Sequence, residues 1–575
     1  MTTPHRPRPK TALGSLALWL APLTFLTLFY IYPLAGILGV SFARSPAGLA
    51  APLRTLVTSP HLRGVLGFTF GQAALSTALT LLVGLPGAYL LARFEFRGKS
   101  LLRALTGIPF VMPTLVVAAA FNALLGPRGW INLGLMQAYG LAEPPIEFVN
   151  TLGAILLAHV FYNTTIVLRM VGDFWSHLDP RLSGAAQTLG ANRWKTLWRV
   201  TLPLLMPAIA SASLLVFLFD FTSFGVVLIL GGPRFATLEV EIYRQTVSLF
   251  NLPLAAVLSL LQLACTLTLT ILYTRLASRL TRPLALKPPS YTQRRLLTRR
   301  ARLAAAGATA LLLLLLTSPL AALAARSFAR LDPERGQNTP VAAGLTLDFY
   351  RELSVNRRQS LFYASPATAI GVSLAYASAT VILALALGMP AAWALAYRTQ
   401  TLSTRVFDPL LMLPLGTSAV SLGLGFILVL GRPPLDLRAS PVLVPLAHTL
   451  VAFPFVVRSL TPGLRSIRPQ LRQAAATLGA GPFQVVRRID LPLIGRAVLV
   501  AATFAFMISL GEFGATALIA RPEYPTVPLA IYRLLSRPGA LNYGQALALS
   551  TILMAVCAGG MLVIERLRIA EVGEF

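Results

Sequence analysis

Two acids stand in long apolar stretches of this chain, Asp220 within 202–231 and Glu512 within 492–520. An ionised side chain is costly in hydrocarbon, so such residues usually face a cavity or a partner. The chemistry they offer is electrostatic. A carboxylate lining a pathway favours a cation. A carboxylate capped near the membrane edge, or paired with an Arg of a neighbouring helix, only holds structure. The pathway reading is the stronger of the two, and the other stays open. An internal alignment of the chain sets Asp220 against Ser509 and Glu512 against Ser223, about one helical turn apart. Asp220, Ser223, Ser509 and Glu512 are therefore the candidate pathway lining. His159 and His448 also pair in this alignment and read as structural.

No residue pattern carries reaction chemistry. The one stretch ending like a phosphate-binding P-loop is Gly98-Lys99-Ser100, and its required first Gly falls on Arg93. HExxH and GxSxG are absent, and the five His are scattered. Cys265 and Cys557 lie in apolar segments without CxxC spacing and read as packing residues. The expectation is a non-enzyme with no catalytic residue, no cofactor and no metal site.

A second pattern occurs twice. Gly184-Ala185-Ala186-Gln187-Thr188-Leu189-Gly190 is followed, after nine residues, by Val200-Thr201-Leu202-Pro203. Gln473-Ala474-Ala475-Ala476-Thr477-Leu478-Gly479 is followed, after nine residues, by Ile489-Asp490-Leu491-Pro492. Each is a polar and basic island between apolar segments. Small residues make a helix face that fits a groove on another protein. Gly190 and Gly479 permit a turn, and Pro203 and Pro492 suit the first turn of a following helix. Trp194, Trp198 and the arginines at 193–199 suit a helix lying at a membrane surface. One such island would read as an ordinary interfacial loop. The same spacing twice favours a shared docking role.

The scaffold behind these residues is a membrane. Of the 575 residues, 55% are hydrophobic and 12% charged, against about 25% charged in a soluble protein. Apolar runs of about 20 residues recur, long enough to cross roughly 30 Å of hydrocarbon. They are not the short alternating segments of a barrel. Spans are expected at about 14–42, 66–92, 101–125, 150–172, 202–231 and 252–274, then 303–325, 368–396, 406–431, 440–460, 492–520 and 541–564. The fold class is an all-α membrane protein with twelve transmembrane helices as two parallel six-helix repeats. The first half is 1–274, with its island at 180–203. A basic linker covers 275–302, and the second half is 303–575, with its island at 469–492. The net charge of +29 is explained by basic cytoplasmic loops rather than by nucleic acid. With both termini in the cytoplasm, the islands and the linker fall on the inner side, as the positive-inside rule requires.

The repeat is exact in spacing over its central part. Gly190 pairs with Gly479 and Pro203 with Pro492, each 289 residues apart. The same offset pairs His159 with His448, Arg169 with Arg458, Phe224 with Phe513, Gly225 with Gly514 and Tyr243 with Tyr532. Upstream, Gly84-Leu85-Pro86 matches Gly388-Met389-Pro390 at an offset of 304, so the first half has a longer outer loop. A parallel repeat implies a pseudo-twofold axis along the membrane normal.

The islands resemble the EAA loops of permease subunits from binding-protein-dependent ABC importers of the type I (methionine- or maltose-permease-like) fold. The resemblance implies a coupling helix that docks in a cleft of a cytoplasmic ATPase. It assigns ATPase coupling to Ala185, Ala186, Gly190 and Pro203, and to Ala474, Ala475, Gly479 and Pro492. The family's Glu position holds Gly184 in one copy and Gln473 in the other, so shape rather than charge must carry docking. Fused two-half permeases of this length are similar to those for thiamine and for ferric iron. Leu156–Asn163, Leu230-Gly231-Gly232-Pro233 with Glu239-Val240-Glu241-Ile242-Tyr243, and Ser509-Leu510-Gly511-Glu512-Phe513-Gly514 look most like the thiamine permease. The implied partners are an ABC ATPase dimer, an extracytoplasmic solute-binding protein and the lipid bilayer of a bacterial inner membrane. The implied solute is a small cation, thiamine or its phosphate first and ferric iron second. The rival is a proton-coupled secondary transporter using Asp220 and Glu512 as a relay.

Overall fold

A computed structural model describes residues 10–43, 54–55, 57–280, 289–295, 298–331, 341–355, 364–397, 402–431 and 436–572. The basic N-terminal residues 1–9 and linker residues 281–288 and 296–297 lie outside the described residues.

Among the described residues ten helices are long and apolar enough to cross a membrane, or twelve if each of two bent helix pairs is one span. In the first half these are Leu18–Ser41, Pro60–Arg93, Thr114–Tyr139, Leu152–Ser176, Arg193–Phe221 and Leu252–Tyr273. The second half has Arg299–Ser327, Pro366–Ala396, Phe407–Gly416 with Ala419–Val429, Leu443–Ser466, Pro482–Leu493 with Gly495–Gly511, and Ala540–Leu567. The six-plus-six order is the expected one.

Three expected spans are corrected in detail. The stretch at 101–125 is two helices, Lys99–Val111 and Thr114–Leu125. Pro113 forces Met112 into an extended conformation and ends the first of them. The stretch at 202–231 is helical to Phe221 and restarts over Gly225–Leu230. The stretch at 492–520 is likewise split into Gly495–Gly511 and Gly514–Ile519. The extra residues of the first half include the helix Trp130–Tyr139.

Each half is built on one tight helix pair. Pro60–Arg93 packs along Leu152–Ser176, and Pro366–Tyr397 along Leu443–Ser466. Ser59 caps the first helix, its hydroxyl accepting from the Leu62 N–H at 3.4 Å, and Thr151 caps its neighbour at 3.2 Å. Without water between helices, close backbone approach replaces hydrophobic burial as the cohesive force, and small residues permit it. Gly84 lies against Val167, where an added Cβ would come within 2.7 Å. Gly388 lies against Val456 in the same way, again at 2.7 Å. All four positions are repeat partners.

The halves exchange their first spans. Lys10–Leu26 packs on the second half, and Tyr32–Ala43 packs between Ala419–Val429 of the second half and Leu252–Leu280 of its own. Trp19 meets the Phe407 ring at 4.9 Å, and the Tyr30 hydroxyl bonds Thr417 Oγ1 at 2.6 Å. Reciprocally, Arg299–Ser327 packs on Thr114–Leu125 and Lys99–Val111 of the first half. There the Trp130 indole N–H donates to the Ala322 carbonyl at 3.2 Å. Two small sheets complete the described structure. Phe94–Glu95 pairs in parallel with Arg294–Arg295 of the linker, and Ala329–Leu331 pairs antiparallel with Val341–Leu345.

Candidate functional site

The breaks in the two split helices meet at the centre of the molecule. They line a cavity of ≈ 430 Å³ shared by both halves, with Asp220, Ser223, Glu239 and Glu512 in its wall. The helix Leu202–Phe221 starts at the first island and climbs about 1.5 Å per residue, so the cavity acids lie toward the end away from the islands.

In each half one buried histidine gathers the polar groups. His159 Nδ1 bonds Ser76 Oγ at 3.0 Å and its Nε2 bonds Ser223 Oγ at 2.8 Å, with Asp220 Oδ1 at 3.4 Å. Asn163 donates to the same Asp220 oxygen at 2.7 Å. His448 Nδ1 bonds Ser509 Oγ at 2.7 Å, its Nε2 bonds Thr516 Oγ1 at 2.8 Å, and Glu512 Oε2 lies 3.3 Å away. The alignment of Asp220 with Ser509 and of Ser223 with Glu512 now has a geometric meaning. Each half offers a histidine, a carboxylate and a serine at the same three positions, with acid and serine exchanged. The two acids differ in how far they are satisfied. Glu512 accepts from the N–H groups of Ala515 and Thr516 at 2.9 and 3.1 Å and from the Thr516 hydroxyl at 2.8 Å, capping the short helix after the break. Asp220 keeps its Oδ2 buried and without a hydrogen-bond partner among the described residues, as does the Tyr162 hydroxyl in the same wall.

Four aromatic rings close over the pseudo-twofold axis. Phe224 and Phe513 stack across the halves at 5.4 Å and 21°. Tyr243 packs on Phe224 at 5.3 Å and Tyr532 on Phe513 at 5.4 Å. Gly225 allows this approach, since an added Cβ would strike Thr114 Oγ1 at 2.3 Å.

Both islands are a short helix ended by a left-handed glycine. Pro180–Thr188 ends at Gly190 with φ +86°, and Pro469–Thr477 at Gly479 with φ +81°. The Ala191 N–H bonds the Ala186 carbonyl at 3.0 Å and the Ala480 N–H bonds the Ala475 carbonyl at 2.9 Å, which is the Schellman closure that a C′ glycine permits. Ala185, Gly190, Ala474 and Gly479 are exposed, as are Pro203 and Pro492, and Ala186 and Ala475 are half-buried. Leu189 and Leu478 project into solvent at 89% and 88% exposure. Apolar side chains held out this far on a fixed turn suit contact with another protein. Each helix is tied back to the next span at one repeat position, by Ser183 Oγ to Thr201 Oγ1 at 3.5 Å in the first half and by Arg472 Nε to Asp490 Oδ1 at 2.7 Å in the second.

A family profile described as "binding-protein-dependent transport system inner membrane component" matches residues 84–282. The thiamine transport system permease protein of Brucella abortus (strain 2308) is 29% identical over 555 residues, covering 93% of this chain and 95% of its own. This chain is similar to the two-half permeases of ABC importers. A putative 2-aminoethylphosphonate transport system permease protein of Salmonella paratyphi A is 27% identical over 274 residues, which are 47% of the permease and 94% of its own length. Among solved structures, a chain of a bacterial alginate ABC transporter aligns with a TM-score of 0.41 and 18% identity, over 48% of the permease and 96% of its own length.

The permease is a multi-pass inner-membrane protein. Among its described residues no group of three or more His, Cys, Asp or Glu could hold a metal ion. Lys99 Nζ donates to the Phe94 carbonyl at 2.9 Å, and burial, with the Arg103 cation beside it, pushes its ammonium down to about 8. One cavity acid escaped the sequence reading. Glu239 lies between two spans, in a stretch that looks like an outer loop, yet it is 2% exposed. Gln262 donates to it at 2.9 Å from the following helix. Its signal was a pair of acids, Glu239 and Glu241, in a short segment just after the Gly231-Gly232-Pro233 turn.

Proposed function

We propose that this permease imports a small organic cation, thiamine or its phosphate, driven by a separate ATPase dimer. Each ATPase subunit docks on one island, contacting Ala185, Ala186 and Gly190 in one copy and Ala474, Ala475 and Gly479 in the other. Pro203 and Pro492 carry the motion into the following spans. A solute-binding protein delivers the solute at the opposite face, and both termini lie in the cytoplasm. The observation that carries the substrate reading is the cavity wall. Asp220, Glu239 and Glu512 place three carboxyl groups there, Asp220 has an unused oxygen, and aromatic rings close beside them. Carboxylates and aromatic faces together favour a cationic ring system. The names of the relatives point the same way. Ferric iron is the second choice, since it calls for several ligands converging on one ion.

In this reading the Phe224–Phe513 stack is a seal. ATPase closure moves the islands, and the two halves rock between states that differ in whether the stack is made. The driving force is the differential contact each state offers. The test is uptake of labelled thiamine into proteoliposomes holding the permease, its ATPase and its binding protein. Uptake that needs ATP and is lost in a Gly190→Pro/Gly479→Pro double variant supports the reading. Uptake by the permease alone, driven by a proton gradient, would replace it with the proton-coupled mechanism in which Asp220 and Glu512 relay protons.

A further inference from the structure

A cavity of ≈ 760 Å³ lies between the first island and the helices beneath it. Its lining includes Arg93, Arg193 and Arg294 and no acid. The three come from separate segments: the end of Pro60–Arg93, the island and the linker. The linker arginine is fixed in place. Arg294 sits in the two-residue ladder with Phe94, and the neighbouring Tyr291 hydroxyl accepts from Arg181 at 2.6 Å. Trp175 forms part of the wall, 6% exposed, and its indole N–H has no acceptor among the described residues. Leu205 and Ile209 give the cavity an apolar side. Gly184 stands in the wall where an added Cβ would meet nothing within 4 Å.

The second half lacks this chemistry. Leu464 replaces Trp175 and Pro482 replaces Arg193 at the repeat positions. Arg472, at the repeat position of Ser183, faces Asp490. We propose that the first-half cavity binds a phosphate group, presented by an anionic phospholipid of the leaflet on the island side. Guanidinium groups match phosphate oxygens in a bidentate fork, and the indole N–H supplies a further donor. Basic pockets between membrane helices take anionic head groups in this way. The exposed Trp198 and Met206 carry the surface from the cavity toward lipid, and the apolar side accommodates the start of the acyl chains. A bound head group fastens the first coupling helix to the bundle, as the Arg472–Asp490 pair fastens the second.

The experiment is native mass spectrometry of the full chain with phosphatidylglycerol, phosphatidylcholine or inorganic phosphate. The wild type retains one phosphatidylglycerol and no phosphatidylcholine. Gly184→Glu places a carboxylate in the cavity and lowers that occupancy about tenfold or more, the worth of one charge-assisted contact. Gly184→Gln, equal in size and uncharged, retains the lipid, so loss through misfolding is separated from loss through charge. Arg193→Gln with Arg294→Gln behaves as Gly184→Glu. An inorganic phosphate adduct sensitive to the same variants, without lipid preference, supports the phosphate site and assigns it a soluble ligand. Equal retention of both lipids by wild type and Gly184→Glu, with no phosphate adduct, overturns the proposal.

Discussion

Asp220 and Glu512 are both carboxylates in one cavity, but they are not equivalent. Glu512 spends its oxygens on the helix after the break, whereas Asp220 leaves one oxygen open. Asp220→Asn replaces the carboxyl with an amide and keeps the shape. A hydrogen bond to a charged group is worth about 1.5–3 kcal/mol, so uptake of a cationic solute falls by about tenfold or more, with ATPase stimulation by the loaded binding protein retained. Loss of stimulation as well would make Asp220 a fold-holding residue. Phe224→Ala opens the stack, and solute leak through proteoliposomes rises without ATP. An unchanged leak would remove these rings from the seal. Much of this was legible beforehand, because the repeat offset alone pairs His159 with His448, Phe224 with Phe513 and Tyr243 with Tyr532. Glu239 was not legible. Its burial depends on Gln262 reaching across from another helix, and no spacing within the segment records that contact.

Among the elements, the glycine-backed helix pair and the tethered island helix make separate claims. Gly84→Ala drives a methyl into Val167, and such overpacking costs about 1–3 kcal/mol. The permease variant melts lower, and Val167→Ala in the same chain restores it; a simple sum of the two single effects would disprove the contact. Asp490→Ala removes the buried carboxylate that accepts from Arg472 Nε at 2.7 Å. It uncouples ATP hydrolysis from uptake more than Thr201→Ala does at the matching, weakly bonded position. Measuring uptake per ATP in both variants decides this. The helix count and the Gly turns followed from composition and motif. The breaks at Thr222–Phe224 and Glu512–Phe513 did not, because the apolar runs continue through them and only the side-chain capping at Glu512 marks the interruption. At 101–125 a proline stood in plain view at 113, and run length outweighed it in the reading.

On the scale of the whole molecule, the repeat is one of sequence while the packing is interleaved. Each half lends its first span to the other, and Arg169 of the first half reaches Glu565 of the last span at 3.1 Å. Periodicity within a span says which residues are apolar but not which neighbour they meet, so the exchange left no trace in the sequence. Co-expressed as separate chains, 1–280 and 299–575 therefore copurify through a tag on either one. Recovery of either piece alone as a folded monomer would contradict the exchange. The Tyr30–Thr417 contact spans 387 residues, and this separation matters during synthesis. At about 5–20 residues per second, the first span leaves the ribosome roughly 20–80 s before its partner exists. It must wait in the bilayer with its packing face turned to lipid or held by the insertion machinery. Biogenesis of this chain thus has a built-in delay before the helix bearing Tyr30 can complete its packing.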